Sequence, residues 1–284
     1  MPSKYSAVLA LGVSFLTLTM DSSANATSIN VAVAANFAGT LSDIKSAFES
    51  DYPGDTFVIT SASSGVITTA ITSGNSPGYD LFLSADTSYP ATVASAGWAT
   101  GTPFTYAKGE ILLWSSTNAG SSLNVSAGLE SLVSGSFPHS LVIADPSKAP
   151  YGVAASTVLS QSPWSISSGS LPCCNVSFAT NIDNTYTAVA NGTNKQGFIA
   201  KSKVCRYDAS TNTYTFNATG NTYSYKEYPY NDTTHPYSQI VQNAVGVVNS
   251  SRTSAQDTVL ANLISYLTGS TAQGYITQYC YILP

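Results

Sequence analysis

Charged side chains are scarce: they make up 9% of the 284 residues, ten Lys and Arg against fifteen Asp and Glu. With so few bases and a net charge of −5, the chain lacks the electrostatic footprint of a nucleic-acid binder. Histidine is nearly absent. His139 sits in a Phe-Pro-His-Ser loop and His235 in an Asn/Thr-rich stretch, and both read as surface residues without a fixed partner. No two glycines stand two apart, which excludes the dinucleotide fingerprint, and there is no Walker A sequence. G-x-S-x-G and H-E-x-x-H are missing as well. Asp86 and Asp145 each follow a strand-like run, where a loop-fixing or capping role explains them as well as acid catalysis does. The four cysteines, Cys173, Cys174, Cys205 and Cys280, contain no C-x-x-C pair and lie away from both histidines, so a zinc site is not supported. No segment beyond the N-terminus approaches the roughly 20 apolar residues of a membrane span.

What is present is a chain 43% hydrophobic and 11% aromatic, long enough for one large or two medium domains with a sizeable core. Lys4, an apolar run over 7–20 and Ala24-Asn25-Ala26 read as a secretory signal peptide over 1–26. The expectation is therefore an exported chain, soluble and extracytoplasmic after cleavage. No cysteine lies near the cleavage site to carry a lipid anchor. An even cysteine count in an exported chain permits disulfides. Adjacent Cys173 and Cys174 are poorly placed to bond each other. One of them is expected to pair with Cys205 and staple an irregular insertion, with the partner of the other left open.

The coarse pattern alternates strand and helix. Strands are expected over 29–35, 56–60, 80–83, 111–114, 141–144, 197–200 and within 239–248. Asn36 is placed to cap a helix whose inward face is Phe37, Leu41, Ile44 and Phe48. A short helix after Gly65 is expected to turn Val66, Ile67, Ala70 and Ile71 inward, and another precedes Gly97. Further helices are expected over 152–159, 184–191 and, near the C-terminus, after Ser251 and from Ser270. This alternation predicts an α/β fold with mainly parallel sheets. The Tyr-rich stretch 206–237 breaks the pattern and reads as an elaborated loop or hairpin, with Tyr214-Thr215-Phe216 and Tyr223-Ser224-Tyr225 alternating as strands do.

One arrangement recurs: Asn36, Ser64 and Tyr151-Gly152 each stand where a strand gives way to a helix. Helix N-termini offer free N–H donors and a partial positive potential, so several of them converging form an anion cage without full charges. Along the chain stand Val33-Ala34-Ala35-Asn36-Phe37, Ser61-Ala62-Ser63-Ser64-Gly65 and Asp80-Leu81-Phe82-Leu83-Ser84-Ala85-Asp86. Later come Ala149-Pro150-Tyr151-Gly152-Val153-Ala154, Gly197-Phe198-Ile199-Ala200, Gln239-Ile240-Val241-Gln242-Asn243-Ala244-Val245 and the closing Tyr281-Ile282-Leu283-Pro284. In order and spacing the set resembles the periplasmic molybdate-binding proteins of ABC importers, over nearly all of the chain from Asn30 to Pro284.

The resemblance implies a two-lobed type II binding-protein fold, each lobe a mostly parallel sheet flanked by helices. Lobe I would hold 27–109 and 240–284, and lobe II 110–239 with the insertion 206–237. It implies a molybdate or tungstate oxyanion held by Asn36, Ser64, Tyr151 and the backbone N–H of Ile182, with Ala35, Ser63, Ala85 and Gly152 as further contacts. Molybdenum would enter only as that oxyanion, with no cofactor and no catalysis. The implied partner is the membrane subunit of an ABC permease, and the chain is expected to be a monomer that binds no nucleic acid. Three departures stand out: Ala35 where some relatives carry a hydroxyl, Ala200 where one branch has a tyrosine that Tyr151 would replace, and Cys280 in place of glycine. A receptor for sulfate or phosphate is the nearest alternative reading, and a secreted hydrolase or adhesion domain a more distant one.

Overall fold

The Val- and Ala-rich run that follows Ser28 is buried along nearly its whole length, as a strand flanked by two others must be. A computed structural model describes residues 26–284, so the predicted signal peptide falls outside the described residues apart from Ala26. The first strand, β1 (Thr27–Ala34), passes through a 3-10 turn at Ala35–Phe37 into α1 (Ala38–Asp51). There follow β2 (Asp55–Ala62), α2 (Ser64–Thr72), β3 (Leu81–Leu83), α3 (Ser88–Ser95) and β4 (Ala99–Gly109). The chain then crosses to a second sheet with β5 (Ile111–Ser116), β6 (Leu141–Ala144), α4 (Pro150–Leu159), β7 (Val176–Ala179), α5 (Ile182–Ala190), β8 (Gln196–Ala200) and α6 (Lys201–Val204). β9 (Arg206–Asp208) and β10 (Thr213–Thr215) form a small hairpin, and β11 (Thr222–Tyr228) joins the second sheet. A return crossing gives β12 (Ile240–Val247), α7 (Ser254–Thr268) and α8 (Ser270–Gln278).

Both sheets have five strands and one plan. In the first the order is β2-β1-β3-β12-β4, and only β12 runs against the rest. Read from its β7 edge, the second runs β7-β6-β8-β5-β11, and only β5 is reversed. The protein is thus α/β, with four of five strands in each sheet sharing a direction and helices flanking them. The reversed strands are the first after each crossing, which is how a chain that leaves one sheet can enter the other without a long connection.

One core packs α1, α7 and α8 against the first sheet through Phe37, Leu41, Ile44, Phe48, Leu263 and Ile276. Each such side chain contributes roughly 1.5–3 kcal/mol by leaving water. Another core belongs mainly to the second sheet but takes in Ala34, Ala35 and Ala85 from strand ends of the first. The two sheets therefore meet across a closed, largely apolar seam.

Several expectations need correction. Cys205 bonds Cys280, with Cα atoms 5.9 Å apart, and Cys173 and Cys174 are free thiols. Cys205 ends α6 on the second-sheet side and Cys280 follows α8 on the first, so the bond joins the two halves instead of stapling the insertion. The distance suits an ordinary disulfide. Asn36 does not cap α1, because the chain makes a 3-10 turn there and its side chain faces inward. Val66 is exposed; the buried face of α2 is Ile67, Thr68 and Ile71. His235 is half-buried and has fixed partners: its ring packs on Trp164, with centroids 4.7 Å apart, and its Nε2 lies 3.1 Å from the Ser162 carbonyl. His139 is more open and pairs with Glu130. The stretch 206–237 is less irregular than its composition suggests, since β11 is an edge strand paired along most of β5.

Candidate functional site

Three helices begin at the seam. Ser63 is the extended residue before α2, Pro150 opens α4, and Asn181 caps α5 by accepting the Asn184 N–H. Between these ends lies a small, tightly closed cavity of about 10 Å³, lined by Asn36, Ser63, Ser64, Ala85, Tyr151 and Ile182 together with Ala34, Ala35, Ala149, Pro150 and Asn181. No Lys or Arg lines it. The positive potential there comes from first-turn N–H groups, which have no partner within their helix.

Each polar lining residue has a definite partner or a definite vacancy. Ser64 Oγ accepts the Ala85 N–H at 3.0 Å, which leaves the serine's own proton free to donate. Ser63 Oγ is buried without a protein partner. Asn36 is buried, and its Nδ2 donates to Gln242 Oε1 at 2.7 Å, to the Tyr281 hydroxyl at 3.1 Å and to the Tyr151 hydroxyl at 3.3 Å. Its Oδ1 has no partner. Gln242 Nε2 donates to the Tyr151 hydroxyl at 3.1 Å, and the Tyr106 hydroxyl lies 2.9 Å from the Ser84 carbonyl and 3.0 Å from Gln242 Oε1. Tyr281 donates to the Asn36 carbonyl at 2.7 Å and accepts from Ser202 Oγ at 2.9 Å.

These phenols are neutral donors. Burial drives the Tyr151 and Tyr106 hydroxyls well above the usual tyrosine range, and neighbouring phenols push further in the same direction. Burial also raises Tyr281, to about 12, against the opposing pull of its bonds with Ser202 and Asn36.

Direct bonds also hold the seam shut. The Gly65 N–H, in the first turn of α2, donates to the Lys148 carbonyl of the opposite half at 3.0 Å. A Cβ on Gly65 would stand 2.9 Å from the Tyr89 hydroxyl, the movable end of a side chain in the same half, and 3.2 Å from the Lys148 backbone, so a side chain here would press the two halves slightly apart. The loop that presents Lys148 is fixed by Asp145, which accepts from Ser147 N, Ser147 Oγ and Lys148 Nζ. Burial raises the Asp145 carboxyl, but these bonds outweigh it and hold the group below its ordinary value. Asp86 has a similar duty, accepting from Ser84 Oγ, Ser88 Oγ and Tyr89 N. Both aspartates are loop supports.

Asn36, Ser64, Tyr151 and Ile182 are thus brought together, with Ala35, Ser63 and Ala85 beside them. Two residues have other roles. Gly152 gives its N–H to the Ala149 carbonyl, and a Cβ there would lie 2.2 Å from the Ala144 carbonyl oxygen, so this glycine lets α4 start against the end of β6. The Ala85 N–H is spent on Ser64. Sequence reasoning missed Gln242, Tyr106, Ser202 and the Gly65–Lys148 contact. Gln242 did carry a signal: a polar residue in a mostly apolar strand must find a partner if it is buried.

Comparison with known proteins identifies the family and the fold. A family model described as bacterial extracellular solute-binding protein matches residues 29–282. The chain is 32% identical to the molybdate-binding protein ModA of Azotobacter vinelandii over 222 residues, 76% of this chain and 80% of that relative. It is also 32% identical to the molybdate-binding protein ModA of Rhodobacter capsulatus over 207 residues, 71% of this chain and 76% of that one. Among solved structures, the periplasmic molybdate-binding protein of Azotobacter vinelandii superposes with a TM-score of 0.67 at 27% identity, covering 90% of this chain and 99% of its own.

Proposed function

Because the chain belongs to the bacterial extracellular solute-binding proteins, we propose that it captures molybdate, and tungstate equally, between its two halves and delivers the anion to the membrane subunit of an ABC importer. The carrying observation is the cavity itself: helix starts from both halves, neutral hydroxyl and amide donors, and no cation. On this reading Asn36, Ser64, Tyr151 and the Ile182 N–H contact the anion, with Ser63 and Ala35 beside it. The moving units are 27–109 with 240–284 and 110–239, and closure is favoured by the ligand because only the closed form lets both lobes donate to one anion. The task is binding and release, with no cofactor besides the cargo. The extracellular setting of the family supports an extracytoplasmic location, in line with the signal-peptide reading of 1–26, and no described helix is long and apolar enough to cross a membrane.

Donors fixed on backbone and packed side chains act as a size gauge. Molybdate and tungstate are almost equal in radius, whereas sulfate is smaller and strands donors. Each buried donor left unpaired costs about 1–3 kcal/mol, so two of them imply a preference over sulfate of roughly thirtyfold or more. Calorimetric titration of the mature protein with molybdate, tungstate, sulfate and phosphate tests this. The expected result is molybdate and tungstate within about tenfold of each other, with sulfate far weaker. Sulfate binding as tightly as molybdate would move the protein to the sulfate-receptor class.

A further inference from the structure

The backbone carbonyl of Asn36 is met by two hydroxyls, one from each half. Tyr281 donates to it at 2.7 Å, and Ser202 Oγ of α6 lies 2.9 Å from the same phenol oxygen and 3.4 Å from the carbonyl itself. Chemistry fixes the direction of these bonds. A carbonyl can only accept, so the single Tyr281 proton is committed to Asn36. The phenol oxygen is then an acceptor, and Ser202 supplies the proton it takes. No side-chain amide takes part. All three residues are buried, where a hydroxyl or carbonyl left unpaired is costly.

Tyr281 is fixed on both sides. Cys280 before it is bonded to Cys205 of the opposite half, and Ile282 after it exchanges backbone bonds with Lys108 at 2.8 and 2.9 Å. Its ring meets Phe37 edge-on, with centroids 5.3 Å apart, so it braces the residue after Asn36 as well. Ala35 and Asn36 both line the cavity and share the 3-10 turn between β1 and α1. A single turn of this kind has few bonds of its own and poor bond geometry. An outside bond to the Asn36 carbonyl therefore helps to set where Asn36 stands.

We infer that Tyr281 is a positioning residue of the anion site, that it fixes the turn from which Asn36 reaches the cavity, and that Ser202 acts through it. The inference rests on the oxyanion-binding reading and adds two residues outside the cavity lining to it. Ser202 belongs to 110–239 and Tyr281 to 240–284, so the place of Asn36 is set by both halves although the residue belongs to one.

The test is calorimetric titration with sodium molybdate of the wild type, Tyr281→Phe, Ser202→Ala, the double variant of these two, and Ser202→Thr. A melting scan of each unliganded protein reports folding. Phenylalanine keeps the ring against Phe37 and removes only the hydroxyl. Tyr281→Phe is expected to bind about tenfold more weakly, equivalent to about 1.4 kcal/mol. Ser202→Ala is expected to lose about threefold by itself and almost nothing further in the Tyr281→Phe background, because residues that act through one another are not additive. Ser202→Thr keeps the hydroxyl and should bind within about twofold of wild type, a rescue that a serine needed only for its small size would not show. Wild-type affinity in folded Tyr281→Phe overturns the inference alone, and so does a Ser202→Ala loss of equal size in both backgrounds. Should Tyr281→Phe not fold, the Ser202 variants decide, and equal affinity in Ser202→Ala and Ser202→Thr overturns it. Wild-type protein that binds neither molybdate nor tungstate overturns the functional reading and the inference together.

Discussion

Asn36 and Ser64 stand at strand ends where a polar side chain can serve a helix or a ligand, and the structure decides between the two. Neither forms a side-chain cap. Replacing both with Ala is therefore expected to weaken molybdate binding by roughly 2–4 kcal/mol, because each bond to a charged partner is worth about 1.5–3 and neighbouring losses need not add. Titration of the double variant measures it, and wild-type affinity in the folded variant would sink the assignment. The buried phenols add a pH effect. Tyr281 titrates near 12 in the folded protein, against about 10 for a free tyrosine. Between those values the folded state holds the proton that the unfolded chain has lost, so stability is fully present below pH 10 and declines as pH rises toward 12. Denaturant unfolding at pH 9, 10 and 11 should show a steeper loss in wild type than in Tyr281→Phe. At this scale the sequence was readable where a residue sits at a junction, as Asn36, Ser64 and Tyr151 do. It was opaque where function depends on a partner 206 positions away, as between Asn36 and Gln242.

Elements were legible in proportion to how apolar they are. β1, β3, β5, β6 and β8 are almost wholly buried and stand out as runs of Val, Leu, Ile and Ala. β4 and β11 are edge strands of mixed polarity, and only the sheet they join explains their extended form. The helix starts carry two glycines whose replacement separates closure from folding. Gly65→Ala removes no core contact, and alanine is the better helix former by about 1 kcal/mol. Its methyl group meets the Lys148 backbone only when the lobes are together, whereas Tyr89 belongs to the same lobe and its hydroxyl, at the far end of a side chain, can move aside. Weaker molybdate binding with an unchanged or raised melting temperature of the unliganded protein is expected. Gly152→Ala puts its methyl group against the Ala144 carbonyl inside one lobe, and overpacking of this kind costs about 1–3 kcal/mol. That variant should lose both stability and affinity. Melting scans paired with titrations distinguish the two, and equal loss of stability in both would contradict the interlobe role of Gly65.

At the scale of the whole molecule, the α/β class followed from strand–helix alternation, whereas the division into two sheets came only from the family resemblance. The disulfide did not follow. Cys205 and Cys280 are 75 residues apart, and their proximity arises only when α6 and α8 pack across the seam. The bond closes a large loop, and in the chain-entropy view removing it costs roughly 4 kcal/mol. Cys205→Ala with Cys280→Ala should lower the melting temperature, and an unchanged value would show that the link adds no stability. The link also determines what a single proteolytic cut can do. The turn at 209–212 between β9 and β10 is fully exposed and lies between the two bonded cysteines. A nick there divides the polypeptide into two fragments, each carrying one half of the bond. In denaturant without reductant they should migrate as one species, and they should separate only when thiol is added. Separation without thiol would mean that no bond spans the cut and that Cys205 and Cys280 are not joined. The intact bond makes the molecule a single covalent object even after its backbone has been broken.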